Sequence, residues 1–246
     1  ENAERGDDGL CRNRRTGRVI RACVPMHSFG HPVRIERIAE MCRRWGLVLI
    51  EDAAESLGTF YHGEHTGLVG DLAALSFNGN KIITTGGGGM ILTRDEALAE
   101  RARHLSTTAK VPHRWHYRHD EIGYNYRLPA LNAALGCAQM ESLGRFVAVK
   151  RELAARYQEW FAETDYEFFV EPEGAESNYW LNAFFARNLE ERDRVLEITN
   201  DAGVMTRPVW VPMQKLPAFE DCQRADLTES MWVEERLINI PSSVPG

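Results

Sequence analysis

The stretch Leu47-Val-Leu-Ile-Glu-Asp-Ala-Ala-Glu-Ser56 passes from four apolar residues to two carboxylates in one step. A continuous apolar run of this length reads as a parallel strand buried on both faces, with Asp52 at its carboxyl end. Upstream, Arg18-Val-Ile-Arg-Ala-Cys-Val24 reads as a strand stopped by Pro25. Between the two, Ile35, Ile38, Ala39 and Cys42 recur at helical spacing, and Gly46 is placed to end that helix. Downstream, residues 72–77 form another strand that runs into Asn78-Gly-Asn-Lys81. Gly86, Gly87, Gly88 and Gly89, a short strand over 90–93 and a helix over 95–105 follow. Strand–helix–strand alternation implies an α/β fold built on a mostly parallel sheet sandwiched by helices. Ligands of such sheets bind beyond the carboxyl ends of the strands, where both Asp52 and Lys81 fall.

The second half reads differently. Residues 128–162 are largely helical, with a break expected at Gly144. Strand-like segments at 166–170 and 179–185, a helix over 190–202 and the stretch 204–213 suggest a smaller α+β domain. The expected division is 1–144 and 145–246.

Composition narrows the function classes. The chain has 246 residues, 43% hydrophobic, with a net charge of −7. That balance disfavours a general nucleic-acid binder, and no apolar run approaches the roughly 18 residues of a membrane span. The five cysteines are scattered, and residues 1–18 are polar, so a cytoplasmic protein with reduced thiols is expected. The histidine pairs His27/His31 and His62/His65 lie in glycine-containing loops without a known ligand pattern, and no metal is expected. The basic, aromatic segment at 113–119 is expected to line a subunit interface or a substrate entrance.

Lysine is scarce: Lys81, Lys110, Lys150 and Lys215 are the only four, against 29 basic residues in all. An enclosed lysine is disfavoured as ammonium and becomes a nucleophile or base. An aspartate on a neighbouring strand end can accept a hydrogen bond from a protonated pyridine nitrogen. Together these are what pyridoxal phosphate requires. Spacing alone leaves a surface lysine and a strand-terminal cap as the plainer reading. No Walker motif and no G-x-G-x-x-G following a strand is present.

Resemblance adds to this. Val48-Leu-Ile-Glu-Asp-Ala-Ala-Glu-Ser56 and Ala74-Leu-Ser-Phe-Asn-Gly-Asn-Lys-Ile-Ile-Thr-Thr-Gly-Gly-Gly-Gly-Met90 resemble the cofactor motifs of the DegT/StrS family. Gly123-Tyr-Asn-Tyr-Arg127 and Gly203-Val-Met-Thr-Arg-Pro208 match two further motifs in order. The resemblance implies a fold type I, pyridoxal-phosphate-dependent sugar-nucleotide aminotransferase. It further implies a partial large domain over 1–144 and a small domain over 145–246. By position, Lys81 resembles the Schiff-base lysine and Asp52 the pyridinium partner. Glu55 stands near the cofactor's phenolic oxygen, where many relatives have glutamine. Ser76 resembles a phosphate ligand, and Asn78 stands where many relatives carry histidine. Asn125 resembles an asparagine that reaches the neighbouring subunit's phosphate, implying a homodimer. Arg127 and Arg207 resemble contacts to the sugar nucleotide or donor carboxylate. Gln214 stands in place of a histidine. The Asn-Gly-Asn-Lys version is most similar to enzymes that aminate UDP-4-keto-6-deoxy-N-acetylglucosamine, with L-glutamate as donor. Relatives that replace the lysine with histidine are dehydratases, and Lys81 is retained here.

Family members begin with further strands that carry a phosphate-binding turn and an aromatic residue stacked on the pyridine ring. Neither appears before residue 18. The expectation is a fragment or a partly given protein. A catalytically incompetent remnant serving as a binding partner is the alternative, and a non-sugar fold type I enzyme is a third reading.

Overall fold

A computed structural model describes residues 2–244. The chain divides into two compact units. The first runs to Val147 and takes back Pro172–Asn178; the second holds Ala148–Glu171 and continues from Tyr179. The observed boundary thus lies three residues past the expected 144, with one segment returning. In that return Ala175–Glu176 pairs antiparallel with Phe60–Tyr61, giving the segment a reason to leave its sequence neighbours.

The first unit is organised by a four-stranded sheet in the order Ala22–Cys23, Val48–Asp52, Leu72–Ser76, Gly89–Leu92. The first three strands are parallel, with Cys23 opposite Leu49 and Asp52 opposite Ala74. The fourth is antiparallel, with Ser76 opposite Gly89. No helix forms over 77–88, and without a crossover helix the chain returns beside its own strand in the opposite sense. The Ile35–Trp45 helix buries Ile35, Ala39 and Cys42 against Leu49 and Tyr61. It ends at Gly46, whose φ of 67° is the left-handed cap that glycine adopts without strain. A second core joins Ala53, Leu75, Phe77 and Ile83. The Glu96–Ser106 helix starts at Asp95, whose carboxylate accepts the Leu98 N–H at 3.0 Å.

Two readings need correction here. Val48–Asp52 is not buried on both faces: Leu49 and Glu51 are buried, while Val48 is 41% exposed and Ile50 half-buried. The strand alternates, so one face is well covered and the other is not. The helical break falls at Ser142, between Ala130–Glu141 and Leu143–Phe161, and Gly144 lies inside the second helix. Glycine within a helix costs only about 1 kcal/mol relative to alanine, and the helix runs through it.

The second unit carries an antiparallel sheet in the order Glu167–Phe168, Asn182–Phe185, Leu237–Ile240, Arg207–Pro208. Phe161, Phe168, Phe184 and Ile238 form its core. The strand expected from 179 begins only at Asn182, because Tyr179 has a φ of 45°, which no strand accommodates. The Leu189–Asp201 helix is capped by Asn188, which accepts the Glu191 N–H at 2.9 Å.

Candidate active site

Asp52 is the last residue of a strand flanked by paired neighbours on both sides. Its backbone bridges Met26 on one side and pairs with Ala74 on the other. The Asp52 N–H donates to Pro25 O at 2.8 Å, and the His27 N–H donates to Asp52 O at 3.0 Å. Asp52 Oδ1 accepts the Ala54 N–H at 3.1 Å, and Oδ2 accepts nothing among the described residues. A half-buried carboxylate on a rigid ladder, with one oxygen unengaged, suits an acceptor for a ring N–H.

Glu55 follows one short turn later. Its Oε2 accepts the Phe29 N–H at 2.8 Å, and its Oε1 receives Lys81 Nζ at 3.5 Å. Burial pushes the Glu55 carboxyl above its ordinary range, more than Phe29 and Lys81 pull it down; the Asp52 charge adds to the rise. Lys81 is 13% exposed at its side chain and sits in the turn closed by its own N–H on Asn78 O at 3.1 Å. Asp52, Glu55 and Lys81 are therefore brought together at the carboxyl edge of the parallel strands. Ser76 ends the adjacent strand, and its Oγ accepts the Asn78 N–H at 3.4 Å. Asn78 is exposed, its amide donating to Asn80 Oδ1 at 3.2 Å.

The remaining predicted residues sit on other segments of the chain. Asn125 bridges Thr107, and its neighbours Tyr124 and Tyr126 donate to Leu105 O and Ser106 O at 2.7 and 3.0 Å. Gly123 makes that crossing possible, because a Cβ there would stand 2.3 Å from Ala109 N. Arg127 borders an open cavity of about 520 Å³ with the glycine run at 86–89 and Asn132. Arg207 is exposed on the second unit's sheet.

The donor set fits pyridoxal phosphate. An enclosed primary amine can bond an aldehyde carbon, Asp52 Oδ2 can hold a pyridinium proton, and Ser76 offers a hydroxyl at the same strand edge.

Sequence reasoning passed over one pair. Glu51 is fully buried beside Asp52 and bonds His27, which is fully buried too. The signal was a carboxylate at the same strand register as Leu49, which directs it to the covered face.

Residues 13–245 match the model of the DegT/DnrJ/EryC1/StrS aminotransferase family. The GDP-perosamine synthase of Escherichia coli O157:H7 is 37% identical over 90% of this chain and 60% of its own. The dTDP-4-dehydro-2,3,6-trideoxy-D-glucose 4-aminotransferase of Saccharopolyspora spinosa is 33% identical over 83% of this chain and 57% of its own. Among solved structures, the aminotransferase TlmJ from Streptoalloteichus hindustanus superposes with a TM-score of 0.86 at 29% identity. That match covers 91% of this chain and 60% of TlmJ. The chain spans between 53% and 63% of the length of the first curated relatives it matches. Its architecture is that of fold type I aminotransferases.

Proposed function

Because this chain belongs to the DegT/DnrJ/EryC1/StrS aminotransferase family, we propose that the protein transfers an amino group to a 4-keto-6-deoxy sugar nucleotide. The observation that carries this reading is the gathering of Asp52, Glu55 and Lys81 at one strand edge. The family's cofactor is pyridoxal phosphate, which when bound supplies the electron sink that lets an amino group leave one carbon for another. Lys81 would hold it through Nζ, and the same atom would be placed to carry the substrate's proton. Asp52 keeps a proton on the ring nitrogen. Glu55 would orient Lys81 beside the cofactor's phenolic oxygen. Ser76 and Asn78 contribute to holding phosphate and ring. Arg127 and Arg207 take the anionic groups of sugar nucleotide and donor.

L-Glutamate is the proposed donor, and a UDP-N-acetyl sugar the first acceptor to try. The similar enzymes above are named for GDP and dTDP sugars, so those two belong in the same panel. A homodimer with shared sites is proposed, with Asn125 serving the partner's site. Support comes from Tyr117, Ile122, Tyr126 and Leu131, each more than three-quarters exposed around that motif. Among the described residues no helix is long and apolar enough to cross a membrane. A cytoplasmic location is proposed on the five free cysteines.

The test is spectroscopic. Protein expressed from its whole reading frame and mixed with pyridoxal phosphate should show the visible band of lysine-bound pyridoxal, and Lys81→Ala should abolish it. No band in the wild type, or an undiminished band in Lys81→Ala, would overturn the proposal. Amino transfer is then scored on UDP, GDP and dTDP 4-keto sugars.

A further inference from the structure

Glu51 is a carboxylate with no exposure, set where the proposed chemistry needs no charge. Its Oε1 accepts the N–H groups of Val69 and Gly70 at 2.9 and 2.7 Å. Its Oε2 accepts the Gly67 N–H at 2.8 Å and His27 Nε2–H at 2.9 Å. Because His27 Nδ1 accepts the Val33 N–H at 3.2 Å, the ring is the neutral Nε2–H tautomer and the negative charge stays on Glu51. Burial alone would raise the Glu51 carboxyl; the His27 ring and the Gly70 and Gly67 amides outweigh it and hold it below the usual range. The other ring nearby, His65, accepts the Gly58 N–H on Nε2 at 2.8 Å and is pushed down by burial. On the site side the charged groups are Asp52, Glu55 and Lys81.

Glu51 and Asp52 are consecutive in one strand, so their side chains leave opposite faces. What links those faces is the turn at 27–31. His27 gives its ring to Glu51 and its own N–H to Asp52 O. Two residues on, Phe29 donates its N–H to Glu55, from a left-handed φ of 61° that an unrestrained phenylalanine avoids. One turn therefore touches the backbone of the proposed acid and the side chain beside the proposed amine. The turn is secured to the strand by the buried pair.

We propose that Glu51 and His27 are a positioning pair, which clamps the 27–31 turn to the Val48–Asp52 strand and thereby sets Asp52, and through Phe29 the Glu55–Lys81 contact, for the cofactor. This rests on the function proposed above. The pair touches neither substrate nor cofactor; it acts through Asp52 and Glu55. Glu51→Gln puts an NH₂ among four donors, and His27→Ala removes the ring, so either change releases the turn.

The experiment titrates the visible band of lysine-bound pyridoxal against pH in wild type, Glu51→Gln, His27→Ala and His27→Gln, with protein from the whole reading frame. Cofactor Kd is measured alongside, and circular dichroism melts confirm folding. Tyr166→Phe, which removes a 3.1 Å bond to Glu191 in the other unit, controls for general destabilisation. A misplaced Asp52 leaves the ring nitrogen less protonated, so the lysine nitrogen holds its proton more tightly. The band's midpoint should rise by about one pH unit in Glu51→Gln and His27→Ala. Kd should rise about tenfold. His27→Gln, which keeps an N–H directed at Glu51, should recover part of both, and Tyr166→Phe should move neither. If Glu51→Gln does not fold, the two His27 variants carry the test. Folded variants with an unmoved midpoint, beside a wild type that shows the band, would overturn this inference alone. A wild type without the band would overturn the functional reading, and this inference with it.

Discussion

Glu55 receives Lys81 Nζ on one carboxylate oxygen at 3.5 Å while its other oxygen accepts the Phe29 amide at 2.8 Å. The carboxylate is thus fixed from the backbone side and holds the amine at the long end of ion-pair reach. Its folded-state pKa is raised above the ordinary 4.5, with burial the largest cause. For a raised acid, stability is fully present below the unfolded value and is lost as pH climbs through the folded one. Glu55→Gln keeps an acceptor for Phe29 and removes the ionisation. The melting temperature of the wild type relative to Glu55→Gln should fall as pH rises from about 4 to about 7. Paired thermal melts check this; a pH-independent difference would refute it.

Gly79, in the connection that leaves the Leu72–Ser76 strand, and Gly89, at the start of the strand it leads to, should respond oppositely to alanine. A Cβ on Gly89 would stand 2.3 Å from the Leu75 carbonyl oxygen, inside the ladder that pairs Ser76 with Gly89. The backbone must move, and Gly89→Ala should lose about 3 kcal/mol in denaturant unfolding. It should also weaken cofactor binding, because Ser76 shifts with its partner. A Cβ on Gly79 meets nothing within 4 Å, and Gly79→Ala should stay within about 0.5 kcal/mol of wild type.

Lys150 is a buried amine in the second unit, donating to Trp180 O at 3.1 Å and to Ser242 O. Burial pushes its pKa down from 10.5 to about 8. Between those values the unfolded chain still binds a proton that the folded chain has released, so folding gains stability as pH rises through the window. Wild type should gain on Lys150→Met from about pH 8 to about pH 10, on the order of 3 kcal/mol at full extent. Urea unfolding at several pH values tests it, and a wild type that gains nothing on Lys150→Met over that range would sink the prediction.

Local signals in the sequence carried well. Gly46 ends its helix in the left-handed conformation and the helix expected from 95 starts within one residue of it, because both depend on a few neighbouring residues. The apolar run ending in two carboxylates located a strand end, and the glycine-flanked lysine located a loop at the adjacent strand end. Features that depend on distant partners stayed hidden. The antiparallel sense of Gly89–Leu92 follows from the missing helix over 77–88, which no strand pattern encodes. Tyr179 takes a left-handed φ that its side chain does not favour, so its strand begins later than its aromatic pattern suggests. The Glu51–His27 bond joins residues 24 apart, each of which reads locally as an ordinary strand or loop residue.

The acid and the amine are built on different footings. Asp52 is stitched on both sides into the sheet, whereas Lys81 stands on a tight turn five residues beyond Ser76, next to exposed Asn78, Gly79 and Asn80. A substitution in the strand disturbs hydrogen bonds to two neighbours; a substitution in the exposed turn disturbs few. Descendants of this chain can therefore explore new turn sequences around the lysine while the aspartate's seat is inherited unchanged. Sequence variation should accumulate around Lys81, and the strand holding Asp52 should diverge last.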